Sequence, residues 1–338
     1  YKLLKLIKYL NTYDQIKSEV NMFYDNTCFV YYKDNYERQL KYSNNPNHND
    51  TSEKILSSIV ISYHGVEKGL TMGEMKLGFG KEKILELVQL CNSYIDRYND
   101  FPDRLREATC VLSEYVSIHK KNGYLLDEEL KSVINDLVIR CKVQPEELLQ
   151  IQMKGEEYFR NFDSSFNLFS NSRHSLRDFS GEEVPLISIE QAIKLAQNAP
   201  STCNRQSSQV YVIRNNELKT NVFSLQNGCR GFGDRASSIL VVTSDLQAWG
   251  FGEQWFGPYI DGGIYMMNLL YALHFYKVGA CALNWYASIE NDMKLRKLLQ
   301  IPDNEIVIAM IACGSLKEKF KLAHSKRKNY KTIMKILD

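Results

Sequence analysis

Residues 238–243 (SILVVT) and 305–313 (EIVIAMIAC) are apolar almost without interruption. A strand with one wet face alternates polar and apolar residues. A continuous run of this length reads instead as a strand buried on both faces. Two weaker β-rich runs, 209–214 (QVYVIR) and 280–285 (ACALNW), lie in the same half of the chain. Helical patterns at 188–198, 261–278 and 290–300 alternate with them. Ser188 and Gln191 have capping-box spacing and are expected to open the first of these helices. Such a sheet needs helices on its faces, so the C-terminal half reads as an α/β or α+β layered domain.

The N-terminal half has a different pattern. Residues 1–42 read as helical, with Leu3, Leu4, Ile7 and Leu10 at helical spacing and Lys2, Lys5 and Lys8 between them. A basic amphipathic helix of this kind can make weak contact with a membrane surface, but it suits a partly solvated packing helix better. Residues 43–52 form a polar loop. A mostly helical pattern follows from 53 to about 98, broken by glycines between 73 and 80, and another helix covers 102–119. Lys120-Lys121-Asn122-Gly123 is a helix stop. More helix is expected to about residue 154, with few strand signals. The 338 residues exceed one ordinary domain. The change of pattern near 160 divides them into a helical segment, 1–160, and a layered domain, 161–338.

Composition removes several function classes. Lys and Arg total 42 against 40 Asp and Glu, a net charge of +2, so a polycationic surface for nucleic acid is not expected. The eight cysteines form no CxxC pair and are spread through the chain, as reduced thiols in a cytoplasmic protein would be. The longest apolar stretch, 264–278, contains His274 and Lys277 and is too short for a membrane span. No metal spacing appears, and His64 with Glu67 reads as a polar pair on one helix face. Gly231-Phe-Gly233-Asp-Arg-Ala236 fits GxGxxA but precedes a strand instead of following one, which rules out the dinucleotide fingerprint.

Chemistry concentrates in three segments. In Arg173-His-Ser175-Leu-Arg177-Asp-Phe179, two guanidinium forks and a hydroxyl suit a small phosphate dianion. In 199–206 (APSTCNRQ), small residues and side-chain amides gather at a helix-to-strand turn. Ser325-Lys-Arg327-Lys is another candidate phosphate clamp.

Together and in this order, these segments resemble the FMN-dependent nitroreductase family. The pattern Arg-x-Ser-x-Arg followed by an aromatic residue is met by Arg173, Ser175, Arg177 and Phe179. Ala-Pro-Ser-x-x-Asn-x-Gln is met by residues 199–206. Similar family features are 279–284 (GACALN), Leu299-Gln-Ile-Pro302 and the strand ending at Gly314. The resemblance covers about 165–338. It implies an α+β fold, a layered α/β/α domain with a central, mainly antiparallel sheet preceded by the helical segment. It also implies an intimate homodimer with the flavin at the interface. Arg173, Ser175, Arg177 and Arg327 would hold the FMN phosphate and ribityl chain. Ser201, Asn204 and Gln206 would lie near the flavin, and the backbone of Leu283 and Asn284 close to its ring.

The implied activity is oxidoreduction, with a hydride passing from NAD(P)H to flavin N5 and on to an electron-poor small molecule of nitro or quinone type. No catalytic side chain and no metal is required. A non-catalytic flavin-binding scaffold or redox sensor is the alternative. The segment His64-Gly-Val-Glu-Lys-Gly-Leu70 resembles an extension of nitroreductase-like proteins linked to surface-polysaccharide assembly. The chain departs from the family at Gln206-Ser-Ser208, where Pro and an aromatic residue are usual, and at Ser325, where a basic residue is usual. The family's substrate-capping insertion between 212 and 262 is expected to be missing. Removal of residues 1–160 is expected to alter turnover and to leave dimer and flavin in place.

Overall fold

The computed structural model describes residues 38–39, 51–143, 150–250 and 256–337. The expected N-terminal amphipathic helix, apart from 38–39, and most of the polar loop lie outside these. Residues 1–54 and 55–338 form two separate units. The helices α1 (Ser52–Leu70), α2 (Lys81–Tyr98), α3 (Asp103–Lys121) and α4 (Glu128–Cys141) come first. Their apolar stripes meet around Ile59, Ile84, Leu105, Tyr115 and Ile134, all fully buried.

The expected glycine break lies between α1 and α2. Gly78 and Gly80 both take φ of 73°, which side chains rarely adopt, and a Cβ on Gly78 would strike the Tyr124 hydroxyl. The expected stop of α3 is also present: Asn122 N–H donates to Ile118 O, and Gly123 is left-handed.

The helix expected to reach residue 154 does not. After α4, residues Gln150–Lys154 form strand β1, paired antiparallel with β6 (Lys319–Ala323). The sequence QIQMK alternates polar and apolar with period two. Ile151 and Met153 both pack on the core, so the segment satisfies a strand and not a helix.

The layered domain follows as α5 (Gly155–Tyr158), α6 (Phe166–Ser172), α7 (Leu186–Ala196), β2 (Ser208–Ile213), α8 (Asn216–Ser224) and β3 (Ser238–Asp245). Then come α9 (Gly257–Phe275), β4 (Gly279–Asn284), α10 (Ile289–Leu299) and β5 (Glu305–Gly314), ahead of β6. Strands β2, β3, β5 and β4 lie side by side in that order, every neighbour antiparallel. The two continuous apolar runs are the two central strands. Ile239 and Val241 of β3, with Met310 and Ala312 of β5, point into the core under α8 and α10. Leu240, Val242, Ile311 and Cys313 point the other way, against α7 and α9. Successive side chains thus fill two different cores. The fold is the expected α+β arrangement of helices on both faces of an antiparallel sheet.

The capping box at Ser188 is not formed. Helix α7 starts at Leu186 behind Pro185, and Ser188 N–H already donates to Pro185 O inside the first turn. The described cysteines are free thiols, and all but Cys203 are buried. No helix among the described residues is long and apolar enough to cross a membrane.

Candidate functional site

Beyond α6 the chain runs extended, with Leu176 N–H donating to Ala280 O of β4 at 2.9 Å and Phe179 bridging to Leu316. In extended backbone, alternate side chains face opposite sides. Leu176 and Asp178 turn inward, and Lys317 neutralises Asp178 at 2.6 Å, with Arg235 at 3.6 Å. Arg173, Ser175 and Arg177 are half-buried on the other side. Neither guanidinium forms an ion pair among the described residues. Arg177 acts on the buried thiol of Cys281. Burial pushes that thiol up, while Arg177, Lys68 and Arg173 all pull against it.

Arg327 lies on the exposed segment after β6 and donates to Ser325 O. Burial first, then Arg173, Arg327 and His324, holds His174 below the usual imidazole range, against a hydrogen bond to Ser172 O. Arg173 and Arg177 both act on the Cys281 thiol, and Arg173 and Arg327 both act on the His174 imidazole.

Ser201, Asn204 and Gln206 share a second turn, between α7 and β2. Cys203, Asn204 and Gln206 all take left-handed φ, between 50° and 58°. The Ser201 hydroxyl accepts from Gln206 N–H at 3.0 Å, and Gln206 Nε2 donates to Asn204 O at 3.4 Å. Ser207, where the family has Pro, is buried and bonded to Ser244 at 2.8 Å. The turn is held by Asp261 of α9, whose carboxylate accepts from Thr202 N–H at 2.8 Å and from the Thr202 hydroxyl at 3.0 Å.

Among the described residues, no hydrogen bond or ion pair is seen between this turn and the arginine segment. Both are instead tied to α9. Ser172 Oγ, at the foot of the arginine segment, meets Nε2 of His274 at 2.9 Å. At 1.5 Å per residue, Asp261 and His274 stand about 20 Å apart along the helix. Leu283 sends its side chain into the core, and Asn284 O accepts from Gln226 Nε2 at 2.8 Å. Sequence reasoning had not assigned Asp261, His274 or Ser172 a role.

His274 is buried among Tyr158, Phe159 and Phe169, and its pKa is pushed down to about 4 by that burial and by Arg173 and His174. The unfolded imidazole protonates near 6.5, so on acidification the unfolded chain takes up the proton first. This group's contribution is complete above pH 6.5 and is lost as the pH falls towards 4. A loss of the order of 3 kcal/mol is expected across that window. Urea midpoints measured against pH should show it, and His274→Gln should flatten the curve. An identical acid slope in the variant would remove His274 as its cause.

Residues 171–228 match the Nitroreductase family model, from the arginine segment through the second turn into the loop after α8. The chain is nitroreductase-like. An Archaeoglobus fulgidus protein whose name pairs NADH dehydrogenase with NAD(P)H nitroreductase is 28% identical over 153 residues, 44% of this chain and 83% of that protein. A Haliscomenobacter hydrossis iodotyrosine deiodinase is 24% identical over 226 residues, 57% of this chain and 93% of its own. Among solved structures, a nitroreductase family protein from Streptococcus pneumoniae is 18% identical with a TM-score of 0.46, covering 51% of this chain and all of the other. An FMN-dependent nitroreductase from Clostridium difficile is 21% identical with a TM-score of 0.43, covering 49% and 96%. The nitroreductase-like part thus includes both candidate turns. No metal-binding cluster of His, Cys, Asp and Glu occurs among the described residues.

Proposed function

We propose that this chain is an NAD(P)H-dependent flavin oxidoreductase whose phosphate site is built by Arg173, Ser175, Arg177 and Arg327. The observation that carries the reading is the arginine segment, with two guanidinium groups at alternating positions of an extended stretch and no ion-pair partner among the described residues. With Arg327 nearby, three positive charges suit a phosphate monoester of about −2 charge, so the residues present fit FMN. Bound there, FMN supplies two-electron transfer from a reduced nicotinamide to an electron-poor organic acceptor of nitro or quinone type. The protein's part is to hold the phosphate, orient the ring and exclude water. No described side chain is needed as acid or base.

The reading includes a homodimer. One flank of α9 carries Ile260, Ile264, Met267 and Phe275, all exposed and spaced as one helical stripe. Antiparallel pairing of two such helices across a two-fold axis would bring the Asp261 end of one copy beside the His274 end of the other. Ser201, Asn204 and Gln206 would then approach the arginine segment of the partner, joining two half-sites that a single chain holds apart. Ile264→Asp would bury an unpaired charge there, at a cost of about 3–5 kcal/mol. Sedimentation should show a monomer that has lost flavin. A flavin-loaded dimer would refute the pairing.

The function is tested on purified protein. A yellow preparation releasing FMN on denaturation, and bleached anaerobically by NADH or NADPH, is expected. A protein that neither carries FMN nor takes it up would sink the reading. Bound FMN that neither nucleotide reduces would favour a flavin-binding scaffold over an enzyme.

A further inference from the structure

The C-terminal basic segment is gripped by the N-terminal helices. Glu67 of α1, only 3% exposed, accepts from Ser325 N–H at 2.8 Å and from the Ser325 hydroxyl at 3.5 Å. His64 braces the same carboxylate at 3.0 Å. One residue on, Lys326 reaches Glu107 of α3 at 3.7 Å, and Tyr63 donates to Glu107 at 3.0 Å. Ser325 is left-handed, with φ of 47°, a conformation costly for a side-chain residue unless its surroundings hold it. The two hydrogen bonds to Glu67 supply that hold, two residues before Arg327.

Lys68 follows Glu67 and is half-buried at the end of α1. Its ammonium forms no hydrogen bond or ion pair among the described residues. Arg177 of the arginine segment, the Cys281 thiol of β4 and Lys83 of α2 all act on its charge. Neither Lys68 nor Arg177 forms an ion pair among the described residues, and the two like charges oppose each other, with the Glu67 carboxylate acting on Arg177 from a distance. An anion placed between the two cations would relieve that opposition. The Glu67 carboxylate acts on Arg177 but forms no ion pair with it or with Lys68, its oxygens being taken by Ser325 and His64.

We propose that the N-terminal helical segment is part of the flavin-phosphate site. Lys68 supplies a fourth cation to the phosphate, and Glu67 acts as a positioning residue that sets Arg327 through Ser325. This rests on the FMN reading above and deepens it. It also reverses the expectation that removing residues 1–160 would leave the flavin in place.

The test uses the full chain freed of flavin and titrated with FMN, and in parallel with riboflavin, which has no phosphate. Lys68→Met is expected to raise the FMN dissociation constant roughly tenfold and to leave riboflavin binding unchanged. Lys68→Arg should restore most of the loss. Glu67→Gln should weaken FMN in the same selective way, and Lys131→Ala, on a half-buried lysine of α4 paired with Glu128, should alter neither ligand. Unchanged FMN affinity in Lys68→Met overturns the proposal, as does an equal loss for FMN and riboflavin. A wild-type protein that binds no FMN would instead defeat the flavin reading itself, so the two failures are told apart.

Discussion

Arg173→Ala is expected to weaken FMN binding by about 10- to 100-fold while the fold remains intact. The lost contact is a forked, charge-assisted one, worth about 1.5–3 kcal/mol. The guanidinium has no carboxylate partner among the described residues, so its removal strands no buried charge there. It also lifts a repulsion, because Arg173 helps to hold His174 and His274 in their neutral forms. Both imidazoles should therefore titrate at higher pH in the variant. Fluorescence titration of flavin-free protein gives the affinity, and imidazole proton shifts followed against pH by NMR give the second effect. Undiminished affinity would remove Arg173 from the phosphate site.

Phe179→Ala is expected to cost about 3–5 kcal/mol of stability, the largest loss from any single change in the motif. The ring is fully buried, sits 6.2 Å from the Phe232 ring, and covers Gly314 so closely that a Cβ there would fall 2.6 Å from Phe179 Cδ1. The surrounding sheet cannot collapse into the space a ring leaves. Phe179 also ends the arginine segment and bridges to Leu316, so its loss should loosen Arg177 and lower flavin retention. Chemical denaturation of variant and wild type measures the first effect. A shift below about 1 kcal/mol would show that the aromatic position is not a structural anchor.

The strands were legible because burial on both faces leaves a mark no other environment does. Residues 238–243 and 305–313 became the two central strands, within two residues of their expected ends. Strand β1 escaped because only Ile151 and Met153 mark it and its partner, β6, lies far along the chain. Propensity also misplaced the start of α7, where Pro185 set the first turn ahead of Ser188.

The site divides along the same line. Arg173, Ser175 and Arg177 are close in sequence, and alternation alone puts them on one side of an extended segment. Their identity as a group could be read from spacing. The roles of Glu67 and Lys68 could not. Glu67 meets Ser325 across 258 residues, and nothing in the local pattern of α1 distinguishes a carboxylate that holds a distant backbone N–H from one in a solvated pair. Asp261 and His274 are likewise ordinary helix residues until packing gives each a turn to hold. Local chemistry is written in neighbouring residues, because a few ångströms of chain can express it. Which distant segment receives a given charge depends on how helices and sheet pack, and only the folded chain brings those groups into contact.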